Sequence, residues 1–304
     1  MADPLPSWTE GAARDRIVAF VEAVTDPASD DFVPVAERIA VFDNDGTLWA
    51  EQPVYFQLIY ALDVLTAADP STLDSDLLKS AAAGDLETVL DGGEEALLEI
   101  LSYSHTGLTV EAFQADVADW LATARHPTTG LPYDQMTYQP MVELLAYLRD
   151  QGFKTYIVSG GGIHFMRVFA EAAYNIPPEQ VIGSYGETEY RLVDGTPEIE
   201  KTASLAFLDD KEGKAINIDR IIGRRPILAG GNSDGDFAMI QWTTAGDGPR
   251  LGLLVHHTDG DREFAYDRDS HIGRLNDGLD QGPAMGWLIV DMAQDWDRIY
   301  TGAR

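Results

Sequence analysis

The chain of 304 residues carries 51 acidic against 21 basic side chains, a net charge of −30, with an ordinary apolar content of 45%. That balance argues against nucleic acid or an anionic membrane surface as partner, because both require a basic face. The absence of cysteine excludes disulfides and thiolate metal sites, and no run approaches the ~18 consecutive apolar residues of a membrane-inserted helix.

The N-terminus shows no basic stretch leading into an apolar one. The expectation is therefore a soluble protein, cytoplasmic as given, or periplasmic or secreted if a signal peptide has been removed. Ser7–Glu10 reads as a capping box before an N-terminal helix, on which Ile17, Phe20, Val21 and Val24 fall at helical spacing. "IAVF" (Ile39–Phe42) is a short continuous apolar run, the pattern of a strand buried on both faces. From Pro53 to about Arg125 every segment has helical spacing, with Pro53 suited to the first turn of a helix, so this stretch reads as a helical insertion.

Alternation of strand and helix then begins. Pro140 opens the helix "MVELLAYLRD", Gly152 ends it, and "KTYIVSGGG" is a strand running into glycines. A helix over Ile163–Tyr174 follows. Asp194-Gly195 sits between two strand-like runs as a hairpin turn. Lys214–Ile222 is a short helix, "PILAGGNSDGD" a strand entering a loop, and "LGLLVHH" a further strand. Such alternation predicts an α/β fold with a parallel sheet whose site lies at the carboxyl ends of its strands.

Four clusters fall at those ends. "DNDGT" places Asp43 and Asp45 after the first strand. An EF-hand register with Gly46 at its sixth position has Gln52 where the bidentate glutamate belongs, so a calcium loop of that type is excluded. Ser159 precedes three glycines between a strand and a helix, where backbone N–H groups can hold an anion. Lys214 (or Lys211) stands at a helix start, where the dipole does not favour a cation. "GGNSDGD" offers Asn232, Asp234 and Asp236, hard oxygen donors of the kind magnesium takes.

In this order, with spacings of 116, 55 and 18 residues from Asp43 to Ser159, Lys214 and Asn232, the clusters resemble the four motifs of the haloacid dehalogenase-like phosphohydrolases. The resemblance runs from about residue 36 to 258. It is strongest to the phosphoserine-phosphatase-like branch, through "YIVSGGGIHFM", the hairpin and "GNSDGDFAMI". The whole chain is also similar to bacterial acid-phosphatase and phosphorylcholine-phosphatase-like proteins. The family implies a Rossmann-like core with helices on both faces and a mostly helical cap between motifs one and two. The expected division is residues 1–50 for the N-terminal helix and first core strand, 51–133 for the cap, and 134–304 for the rest of the core with a C-terminal extension.

The same resemblance implies roles. Asp43 is the nucleophile and Asp45 the general acid/base. Thr47, Ser159, Gly160 and Lys214 bind the substrate phosphate, and Mg²⁺ is held by Asp43, Asp45, Asn232 and Asp236. Family members usually carry aspartate where this chain has Asn232, which removes one negative charge. Either the Asn232 carbonyl ligates, or Asp236 or Asp234 takes over. The expected activity is Mg²⁺-dependent hydrolysis of a small phosphomonoester through an aspartyl-phosphate. Phosphotransfer to another acceptor and non-catalytic binding of a phosphate ligand are the alternatives. His256, His257, Asp259, Arg262, His164 and Arg167 are candidates for the rim of the site. Trp49, Tyr55, Phe56 and Tyr60 are candidates for its junction with the cap.

Overall fold

Every residue of Ile39–Phe42 (β1) is buried, and its alternate side chains enter two different cores. Ala40 and Phe42 pack on one side of the sheet with Ile157, Leu228 and Val255, while Ile39 and Val41 pack on the other with Val158, Ala229 and Leu254. A strand apolar at every position must be covered on both faces, and this one is central. The computed structural model describes residues 3–302.

In chain order the elements are α1 (Ala12–Thr25), β1, α2 (Phe56–Ala67), α3 (Asp76–Ala82), α4 (Leu86–Asp91), α5 (Gly93–Tyr103) and α6 (Val110–Thr123). There follow α7 (Gln139–Asp150), β2 (Lys154–Gly162), α8 (Ile163–Met166), α9 (Ala170–Tyr174), β3 (Val181–Val193) and β4 (Thr196–Phe207). The chain closes with α10 (Glu212–Ile222), β5 (Leu228–Gly231), α11 (Phe237–Thr244), β6 (Leu251–His256), α12 (Asp277–Gln281), β7 (Leu288–Asp291) and α13 (Met292–Asp295). The strands form one seven-stranded sheet in the order β4-β3-β2-β1-β5-β6-β7. All pairings are parallel except β3 with β4, the hairpin turned by Asp194 and Gly195, both at positive φ. Among the described residues no helix is long and apolar enough to cross a membrane.

Between β1 and β2, helices α2 to α6 run without a strand of their own. Leu58, Leu65, Leu78, Val89 and Ile100 give α2 to α5 a separate apolar core. Phe113, Val117 and Leu121 of α6 pack instead into the large core beside the sheet. Helix α2 belongs to both, with Phe56 and Tyr60 on the large core and Leu58, Ala61 and Leu65 on the small one. It is the joint through which the helical insertion meets the sheet.

Three local expectations need correction. The Ser7 capping box does not form: the Ser7 hydroxyl and backbone N–H both donate to Glu143 in α7, at 2.7 and 2.8 Å, and α1 starts only at Ala12. A distant carboxylate has taken the cap's hydroxyl. Pro53 lies outside α2, whose first carbonyl acceptor is that of Tyr55. The helix expected over Ile163–Tyr174 is two, because Val168 and Phe169 donate to carbonyls three residues back and tighten the turn between them. The C-terminal extension contributes β7 to the edge of the sheet beside β6.

Candidate active site

β1 lies between β2 and β5, with Phe42 level with Ile157 and Gly230, so the residues that follow these three strands meet at one edge. The Asp43 N–H donates to Gly230 at 3.0 Å, which carries the ladder one residue further and fixes the direction of the side chain. The next carbonyl, of Asn44, accepts from the N–H groups of Thr47, Leu48 and Trp49 and coils the loop tightly. Gly46 has φ +76°, and a Cβ there would lie 2.1 Å from Asn232 Nδ2. The position thus requires glycine for both backbone conformation and space.

Lys214 is 2% exposed, and its Nζ donates to Asp43 Oδ1 at 2.6 Å and Asp236 Oδ1 at 2.5 Å. The other oxygen of Asp236 accepts from the Asn232 and Ser233 N–H groups at 2.9 and 3.0 Å. Both oxygens of Asp236 are therefore committed, one to the lysine and one to the loop after β5. Burial opposes the charge on Lys214, but Asp236 and Asp43 outweigh it and hold the ammonium well above its usual range. Burial, together with the charge of Asp236, raises Asp43 well above the carboxylate range despite Lys214. Lys211 is exposed at the start of α10. Asp234 points elsewhere, accepting from the backbone of Asn276 and Gly278.

Asp45 is half-buried, and its two oxygens accept from Trp49 Nε1 at 2.8 Å and Ser159 Oγ at 3.4 Å. Burial raises its carboxyl above the ordinary value, while Trp49 and Lys214 pull it down. Ser159 in turn accepts from the Gly161 N–H at 3.1 Å. Thr47 is fully buried beneath the loop, its hydroxyl 3.1 Å from Asn232 Oδ1 and 3.5 Å from Asp43 Oδ2. Asp43, Asp45, Ser159, Gly160 and Lys214 line one cavity of about 430 Å³, roofed by leucines of α4 and α5.

The residue that sequence reasoning missed is Glu51. It lines the same cavity, and its Oε1 accepts from Asn232 Nδ2 at 2.7 Å and Tyr266 OH at 2.8 Å. Burial raises its carboxyl well above the usual range. No motif marks Glu51, because the contact joins the loop after β1 to the loop after β5. The amide nitrogen of Asn232 therefore faces Glu51 and its oxygen faces Thr47.

The donor chemistry fits a hard divalent cation. Asp43, Asp45, Glu51, Glu94 and Asp210 face a cavity whose lining has one lysine, and that excess of carboxylate calls for a further positive charge. Among the described residues no three His, Cys, Asp or Glu side chains form a metal-holding group. A cation here would draw on the Asn232 amide oxygen and backbone carbonyls as well as Asp43.

Of the remaining candidates, only Tyr55 lines the cavity that holds Asp43. His257 is 3% exposed and braces the first loop through Nε2 and the Gly46 carbonyl at 2.7 Å. His256 lies 3.3 Å from Asp267, and Arg262 pairs with Asp259. Arg167 donates to the Pro178 carbonyl, whereas His164 contacts Lys201. Trp49 stacks on Phe169 with centroids 4.2 Å apart, Phe56 and Tyr60 pack in the same aromatic group, and Tyr55 alone of the four lines the cavity.

A sheet with its carboxylates at the carboxyl strand ends defines an α/β protein with the site at the strand crossover. A family model for haloacid dehalogenase-like hydrolases matches residues 40–241. The chain belongs to that family. A protein from Anaerococcus prevotii DSM 20548 is 18% identical over 95% of this chain and 94% of its own, with a TM-score of 0.61. One from Bordetella pertussis Tohama I is 14% identical over 84% and 99%, with a TM-score of 0.54. A probable phosphoserine phosphatase from Vibrio cholerae is 15% identical over 75% and 58%, with a TM-score of 0.41. No curated protein matches the chain.

Proposed function

We propose that the protein is a Mg²⁺-dependent phosphomonoester hydrolase acting on a small phosphorylated metabolite. The observation that carries this reading is the convergence of Asp43, Asp45, Ser159 and Lys214 on one cavity, with the lysine ammonium bonded to the Asp43 carboxylate. Two carboxylates without such a partner would repel any phosphate. Asp43 attacks phosphorus and forms an aspartyl-phosphate as the alkoxide leaves. Asp45, whose carboxyl burial raises above its ordinary value, donates a proton to the leaving oxygen and then takes one from the water that hydrolyses the intermediate. Ser159, the Gly160 backbone and Lys214 hold the phosphoryl oxygens, and Thr47 supports the loop from below. Bound Mg²⁺ supplies the charge neutralisation that lets an anion approach Asp43, and Asp43 with Asn232 would hold it. Asp236 fixes Lys214, and residues 51–133 form the cap that closes the cavity and excludes water.

A panel of phosphomonoesters in Mg²⁺, assayed on wild type and Asp43→Asn, tests this. The substitution is expected to lower kcat by at least about 10³-fold, and EDTA to abolish turnover. Turnover that survives Asp43→Asn overturns the mechanism.

A further inference from the structure

A second, smaller cavity of about 110 Å³ lies between α5, α6, the β3–β4 hairpin and the glycines that end β2. Gln57, Leu98, Leu101, Gly160 and Leu208 line both this cavity and the one holding Asp43, so the two adjoin across Gly160. The smaller chamber is lined by His105, His164 and Lys201.

Lys201 is 5% exposed. Its Nζ lies 3.1 Å from His164 Nδ1 and 4.9 Å from the centroid of the Phe113 ring. None of the ion pairs among the described residues includes it. Its place is set by backbone bonds to the α5–α6 connection: the Lys201 N–H donates to Leu108 at 2.9 Å and its carbonyl accepts from Gly107 at 3.0 Å. Burial lowers the ammonium to about 8, so it remains charged at neutral pH. Burial and the charge of Lys201 push both His105 and His164 down to about 4, which leaves them neutral.

A buried cation without a counter-charge is costly, and a chain with 51 acidic residues had many candidates to supply one. The Phe113 ring attracts the ammonium but does not neutralise it. We propose that this chamber is a leaving-group subsite, in which Lys201 and His164 bind a second anionic group on the phosphorylated substrate, a carboxylate or a further phosphate. The inference rests on the phosphohydrolase reading above, and narrows it to substrates anionic at both ends.

Calorimetric binding to the Asp43→Asn protein in Mg²⁺ tests it with three ligands. They are 3-phosphoglycerate for the carboxylate, 1,3-propanediol bisphosphate for the second phosphate, and glycerol 3-phosphate, which lacks a second anion. At least one of the first two is expected to bind about tenfold or more tighter than the third. Which of them does so identifies the anion. Lys201→Met is expected to erase that ratio while leaving the affinity for glycerol 3-phosphate unchanged, and Lys201→Arg to retain part of it. Equal affinities for all three ligands in the Asp43→Asn protein that keeps Lys201 overturn the inference whether or not Lys201→Met folds. So does an equal fall for all three in Lys201→Met, which marks the lysine as packing alone. Failure of wild type to hydrolyse any phosphomonoester would instead overturn the hydrolase reading, which this binding comparison does not measure.

Discussion

At Asn232 the chain places an amide where the resemblance to the family implies a carboxylate, and Glu51 stands 2.7 Å from its nitrogen. The carboxyl group that the loop after β5 lacks is thus present on the loop after β1. Asn232→Asp would set two carboxylates against each other in a buried site, at a cost of about 3 kcal/mol when no cation is bound. The expected result is a lower melting temperature in EDTA and a larger rise on adding Mg²⁺ than wild type shows. An unchanged melting temperature in EDTA would contradict the contact. Glu51 had no signature of its own, since a lone glutamate beyond a motif reads as solvated until the fold buries it. Asp43, Ser159 and Lys214 were legible because glycines and strand ends flank them, and those flanks carry the backbone geometry.

The element that organises the site is the loop from Asp43 to Trp49, held by the Asn44 carbonyl and closed by Gly46. Gly46→Ala would place a Cβ against Asn232 and force alanine to φ +76°, so destabilisation of at least about 2 kcal/mol is expected, read as a lower denaturant midpoint. A midpoint equal to wild type would show that the loop has room to move. Strands β1, β2, β5 and β6 were legible because each is a short apolar run ended by a turn signal, and the helices of the insertion because their spacing repeats. Helix starts were less so. Ser7 had the right residue type for a cap, but its hydroxyl had a stronger acceptor in Glu143. Strand β7 was not anticipated, although at four residues it is no shorter than β1 and β5.

Over the whole molecule, a charge of −30 acts as self-repulsion that burial must overcome. Raising NaCl from about 0.02 to 0.5 M shortens the screening length several-fold, and the melting temperature in EDTA is expected to rise by several degrees. A fall would show that ion pairs, and not repulsion, dominate the electrostatics. The sequence by itself determined the α/β class and the helical insertion, because local periodicity and turn chemistry act over a few residues, and it singled out Asp43, Asp45 and Ser159 as candidates while leaving Lys214 and Lys211 open. Only the tertiary structure decided that Lys214 and not Lys211 meets Asp43, that Asp236 is spent on that lysine, and that Glu51 faces Asn232. It alone brought Lys201 beside the glycine loop. Each of those contacts joins residues far apart in the chain, and their cost or gain depends on burial, which one-dimensional spacing does not record.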